Sequence, residues 1–101
     1  MTPRRVRFTA TAHSHIRREN SWWLNNRDHK EILANDLEAT LEAVALLPSV
    51  GALYTEAGIP GLRRMYLPTI ACHVYSTFDD EEVIVRALWG ARRKRGPQLN
   101  P

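Results

Sequence analysis

Between Leu62 and Arg95 the chain alternates apolar and polar residues in three short runs rich in β-branched and aromatic side chains. The runs read Leu-Arg-Arg-Met-Tyr-Leu, Ala-Cys-His-Val-Tyr-Ser-Thr-Phe and Val-Ile-Val-Arg-Ala-Leu-Trp, separated by turn signals at Pro68-Thr69 and Asp79-Asp80-Glu81. The pattern predicts an antiparallel meander. Residues two apart on a strand share a face. Met65 and Leu67 therefore oppose Arg64 and Tyr66, and Cys72, Val74 and Phe78 oppose His73, Tyr75 and Thr77. In the third run Val83, Val85, Ala87 and Trp89 oppose Ile84, Arg86 and Leu88. One face is fit to bury. The other gathers Arg64, Tyr66, His73, Tyr75 and Arg86 into a patch, with the basic tail Arg92-Arg93-Lys94-Arg95 beside it.

Upstream the period changes. Arg4 to Thr9 reads as a short strand with Val6 and Phe8 on one face. Thr9 or Thr11 then caps a helix to about Arg27 whose apolar stripe holds Ala12, Ile16, Trp23 and Leu24. Trp22 and Trp23 are adjacent and cannot both point into the core, so Trp23 is expected buried and Trp22 between the helices or partly exposed. Asp28-His-Lys-Glu31 fits a capping box that opens a second helix through Leu47, stopped by Pro48. Leu33, Leu37, Thr40, Leu41, Val44 and Leu47 give that helix its buried face. Pro48 to Pro60 reads as a loop pinned by Leu53, Tyr54 and Ile59, and Gly90 to Pro101 as a polar tail that orders on binding. The expected order is β-α-α-β-β-β: a helical hairpin on one face of a small antiparallel sheet, an α+β fold.

The 101 residues allow one domain with a modest core, taken here as residues 1–101 with the basic tail from about Gly90. At 44% hydrophobic and 25% charged, the composition is that of a globular protein. No apolar run approaches the roughly twenty residues that cross a bilayer, and Met-Thr-Pro-Arg-Arg lacks the apolar core of a secretory signal. The one cysteine excludes an internal disulfide and fits a reducing compartment, so a cytoplasmic protein with no membrane association is expected. The net charge of +3 is uneven: four acids face one base between Lys30 and Leu47, whereas seven bases follow Leu62 and the four acids there sit in one turn. A basic sheet and tail suit a polyanion or an acidic partner.

The residues exclude several chemistries. His13 and His15 are spaced wrongly for one helix face, and Cys72 and His73 point to opposite faces of a strand, so no metal site and no cofactor is expected. Gly-rich phosphate loops, a Gly-x-Ser-x-Gly elbow and paired carboxylates among apolar residues are all missing from the sequence. What remains is the sheet patch. Metal-free RNA cleavage needs a base, an acid and cations for the phosphate's developing charge. His73 can supply the first or second, Arg64, Arg86, Arg92 and Arg93 the last, and Tyr66 or Tyr75 can stack on a base.

Leu-Arg-Arg-Met-Tyr-Leu, Cys-His-Val-Tyr-Ser, Val-Ile-Val-Arg-Ala-Leu-Trp-Gly-Ala-Arg-Arg and the Trp-Trp-x-x-Asn-Arg closing the first helix together resemble the RelE/ParE superfamily of type II toxin–antitoxin toxins. The resemblance covers nearly the whole chain and implies a toxin silenced by a co-encoded cognate antitoxin. One branch, RelE-like, cleaves mRNA on the ribosome. The other, ParE-like, poisons DNA gyrase and is no nuclease. By the motif match, Arg64 falls at a basic second-strand position, Tyr66 where another basic residue is expected, and His73 in place of the third-strand arginine. Arg92, Arg93 and Lys94 follow Gly90 as the family's basic C-terminal cluster does, with no tyrosine or histidine after them. The ending favours the ParE-like branch. If the chain is a nuclease, Arg64, His73 and Arg93 are its catalytic residues. Under either reading Tyr66, Tyr75, Arg86, Trp89, Arg92, Lys94 and Arg95 would meet the target, and Trp22, Ile84 and Leu88 the antitoxin.

Overall fold

A computed structural model describes residues 2–26 and 31–99. The order is β1 (Arg5–Phe8), α1 (Ala10–Asn26), α2 (Ile32–Leu46), β2 (Ala52–Leu53), β3 (Arg63–Leu67), β4 (Cys72–Phe78) and β5 (Glu82–Gly90), with a 3-10 turn at Pro48–Val50. The strands form one sheet in the order β1-β5-β4-β3-β2. The meander is antiparallel as its alternation predicted. Two strands extend it: β1 joins β5 in parallel, and the two-residue β2, read from sequence as loop, pairs with β3. The fold is α+β with the expected element order, on a mixed sheet.

Thr9 caps α1, its Oγ1 accepting the Ala12 N–H at 3.1 Å, which satisfies one of the first-turn donors that no helical carbonyl reaches. Of the capping box, Asp28 lies outside the described residues; Glu31 flanks the start of α2 and makes no capping bond. The main core lies between the helices and the sheet. Ala12 and Trp23 of α1 and Leu33 and Leu37 of α2 meet Leu67, Cys72, Val74, Val85 and Leu88. Leu24 and Leu47 do not join it. Leu24 is rotated off the stripe that Trp23 buries, and Leu47 has already left helical geometry (φ −138°, ψ 81°), so the 3.6-residue period stops before it.

A β-bulge corrects the predicted faces of the third run. Tyr75 pairs with Ala87 and Ser76 with Val85, which leaves Arg86 as an extra residue on β5. One inserted residue shifts the phase of everything after it. Val85 and Leu88 therefore both join the helix-side core, while Ala87 and Trp89 turn to the opposite face. Leu88, expected on the open face as an antitoxin contact, is only 3% exposed.

The opposite face carries a second, smaller core. Tyr54, Ile59 and Leu62 fold over Tyr75 and Ala87, with Trp89 and Leu99 packed at the margin. Left-handed Gly58 (φ 71°) and Gly61 (φ 73°) let the loop double back to place Ile59 and Leu62. Tyr54 and Ile59 pin the loop as expected, whereas Leu53 is exposed. The tail is tied back to the body at its start: the Ala91 N–H donates to the Ala71 carbonyl at 2.8 Å, and Trp89 Nε1 donates to the Arg95 carbonyl at 2.7 Å.

Candidate functional site

The open face of the sheet brings together four of the residues singled out by alternation. Arg64 and Tyr66 lie on β3, His73 and Tyr75 on β4, and the register places Arg64 opposite Tyr75 and Tyr66 opposite His73. The His73 ring sits 5.2 Å from Tyr66 and 6.1 Å from Tyr75, centroid to centroid. Arg64 lies 4.8 Å over the Tyr54 ring, and its Nη1 reaches the Tyr75 hydroxyl at 3.5 Å. Tyr66 is half exposed, at 50%. Tyr75 is on the expected face but only 2% exposed, because the Tyr54–Leu62 loop covers it, so it offers no open stacking surface. Tyr54 is the residue that alternation missed here: it belongs to no long strand, and only the folded loop brings its ring edge-on to Tyr75 at 5.1 Å.

Electrostatics poise this cluster for neutral histidine. Burial first, and the Arg64 charge second, hold the His73 pKa below its ordinary value. Burial and the nearby Glu56 carboxylate, 3.2 Å from its hydroxyl, push Tyr54 up.

A second cluster forms where β5 runs out past β1. There α1 replaces a neighbouring strand, and His15 Nδ1 accepts the Leu88 N–H at 3.3 Å. The His15 ring lies 5.2 Å from Trp89, and Arg93 and Arg18 sit 4.1 and 5.5 Å from the Trp89 centroid. Burial, then Arg18 and Arg93, lower the His15 pKa. Neither His15 nor Arg18 had a signal in the sequence beyond being polar helix residues; the bulge, by turning Trp89, makes them neighbours of the tail.

The basic tail divides. Arg92 and Arg93 line a groove with Arg18 and Trp22, while Lys94 and Arg95 line a shallow depression with Tyr54 and Glu56. Arg86, at the bulge, is held on the Thr77 hydroxyl at 2.9 Å. Of the expected antitoxin contacts, Trp22 is 45% exposed with Trp23 buried beneath it, and Ile84 is partly buried beside Thr77 on the open face. The Cys72 thiol is buried in the core, and its pKa is pushed up to about 12 by burial and Glu19. Among the described residues no group of three or more His, Cys, Asp or Glu lies close enough to hold a metal ion, and no helix is long and apolar enough to cross a membrane.

No protein-family model matches the sequence, and no curated protein is significantly similar to it. The fold has relatives among solved structures. A chain of the chromosomal ParDE TA system from P. aeruginosa superposes with a TM-score of 0.68 over 88% of this chain and 97% of that one, at 12% sequence identity. The chain thus shares the fold of that ParDE-system chain. At 12% identity the likeness is one of fold alone.

Proposed function

We propose that the chain is the toxin of a type II toxin–antitoxin pair in the cytoplasm, silenced by a cognate antitoxin, and that it acts ParE-like by binding DNA gyrase rather than by cutting RNA. The toxin reading is supported by a fold shared over 88% of this chain with a chain of a ParDE system. The preference for binding over cleavage rests on one observation, the placement of Arg93 over Trp89. Its charge acts on His15 and its guanidinium lies on Trp89, whereas the charge acting on His73 is that of Arg64. A nuclease built on Arg64, His73 and Arg93 needs all three at one phosphate. Exposed Arg92, Lys94 and Arg95, with Trp89 behind them, are instead displayed for a protein target.

The antitoxin has apolar surface to cover. Val6, Leu37, Leu41 and Ala45 line an apolar groove of about 370 Å3 between β1 and α2, rimmed by Glu38 and Glu42, and Trp22 and Ile84 offer further contact. Leu88 contributes only from inside the core.

The RelE-like reading keeps one support, a neutral His73 beside Arg64 on a half-open face. Expression in bacteria separates the two. Truncation after Gly90 abolishes toxicity under both readings, since it removes Arg93 with the rest of the tail; His73→Ala leaves toxicity intact under the gyrase reading and abolishes it under the nuclease reading. Relief of toxicity by a small acidic protein encoded beside the chain identifies the antitoxin, and growth unaffected by induction contradicts the toxin reading.

A further inference from the structure

Away from the open face, a groove of about 700 Å3 runs between the second half of α1, the β3–β4 turn and the start of the tail. Arg18, Arg92 and Arg93 supply its charge, Trp22 and Trp23 its aromatic wall, and residues 68–71 its far rim. Ala71 in that rim holds a left-handed conformation at φ 53°, which a residue with a Cβ rarely adopts. Its carbonyl accepts the Ala91 N–H, so the turn fixes where Arg92 and Arg93 begin.

The charge in this groove is unbalanced. Among the described residues no carboxylate lies within ion-pairing distance of Arg18, Arg92 or Arg93. Arg18 and Arg93 are both held on the Trp89 ring by cation–π contact, which keeps two like charges together and limits the side-chain freedom they would lose on binding. The groove's own acid, Glu19, interacts with the Cys72 thiol. Three guanidiniums thus stand without an ion-pair partner, against one carboxylate, beside a half-exposed indole.

We propose that this groove receives an acidic segment of a partner protein, with carboxylates on Arg18, Arg92 and Arg93 and one large apolar side chain against Trp22. This deepens the partner reading above by naming what the partner must carry here. Guanidinium forks match carboxylates in bidentate geometry. Glu19 on the wall repels a strand charged at every residue, as a nucleic acid is, whereas a peptide can set a neutral residue beside it. The groove also presents one exposed aromatic anchor rather than a row of stacking platforms.

The test is fluorescence anisotropy on the full chain with short labelled peptides that carry one Trp flanked by Asp and Glu. The same peptides with Lys for each acid, and a single-stranded DNA of equal length, are the comparisons. The acidic peptides bind at least about tenfold tighter than the basic ones, and Arg92→Glu and Arg18→Glu each weaken them by about tenfold. Trp22→Ala weakens them too, and Arg5→Glu, on the exposed edge strand, leaves them unchanged. Equal binding of acidic and basic peptides, DNA displacing the acidic peptide, or unchanged binding by Arg92→Glu overturns the proposal. The readout is binding by the purified chain, so its failure is distinct from a failure of the toxicity assays.

Discussion

Leu88 and Ile84 share a face under strict alternation, and the bulge at Arg86 separates them. Leu88 packs in the main core with Trp23, Cys72, Val74 and Val85, whereas Ile84 is partly buried on the other side of the sheet. Leu88→Ala removes a fully buried side chain and leaves a cavity, a loss of about 2–5 kcal/mol. Ile84→Ala gives up part of a burial worth roughly 1.5–3 kcal/mol when complete, so about 1 kcal/mol. Against a total stability of about 5–15 kcal/mol for a domain of this length, the first change is severe and the second mild. Urea denaturation followed by tryptophan fluorescence measures both. With a slope of about 1–3 kcal/mol/M, Leu88→Ala lowers the midpoint by on the order of 1–2 M and Ile84→Ala by a few tenths. An Ile84→Ala loss equal to or larger than that of Leu88→Ala would place Ile84 in the core and refute the bulge-shifted register.

Three further outcomes follow from the same geometry. Protonation of His15 is disfavoured in the fold by burial and two arginines, and the unfolded chain takes up that proton near the ordinary 6.5; stability is therefore present above pH 6.5 and lost as pH falls through the lowered pKa. Thermal midpoints between pH 7.5 and 5, with His15 followed by NMR, check the sign, and a midpoint that rises on acidification contradicts it. With its pKa near 12 and its side chain buried, Cys72 resists iodoacetamide at pH 8 until denaturant is added; rapid labelling of the native chain contradicts its place in the core. A Cβ at Gly96 runs into the Tyr54 hydroxyl, so Gly96→Ala loosens the tail and costs about 1–3 kcal/mol. Unchanged hydrogen-exchange protection over residues 91–99 would count against the observed tail path.

The element order and the sidedness of the first two meander strands were legible because alternation and turn chemistry are local signals. Alternation put Arg64, Tyr66, His73 and Tyr75 on one face, while the pairing of Arg64 with Tyr75 and Tyr66 with His73 depends on the register, which alternation leaves open. The third strand was not fully legible, since nothing in Val-Ile-Val-Arg-Ala-Leu-Trp marks Arg86 as the extra residue; the bulge emerges only from pairing with β4. The same holds for the cover on Tyr75. Tyr54, Ile59 and Leu62 read as loop anchors, and which face they anchor to depends on how Gly58 and Gly61 turn the chain back. The parallel docking of β1 on β5 was hidden for a related reason, because strands distant in sequence carry no shared turn. Of the candidate site, the aromatic–cationic patch was readable, while the division of the tail between two sides of Trp89 was a tertiary outcome.

The target is tested most directly with purified components: DNA gyrase relaxing and supercoiling plasmid DNA, and ribosomes programmed with a defined message, each exposed to the full chain. Gyrase poisoning gives loss of supercoiling with accumulation of cleaved plasmid, and messages that stay whole. Cut messages with gyrase unaffected, abolished by His73→Ala, would contradict it.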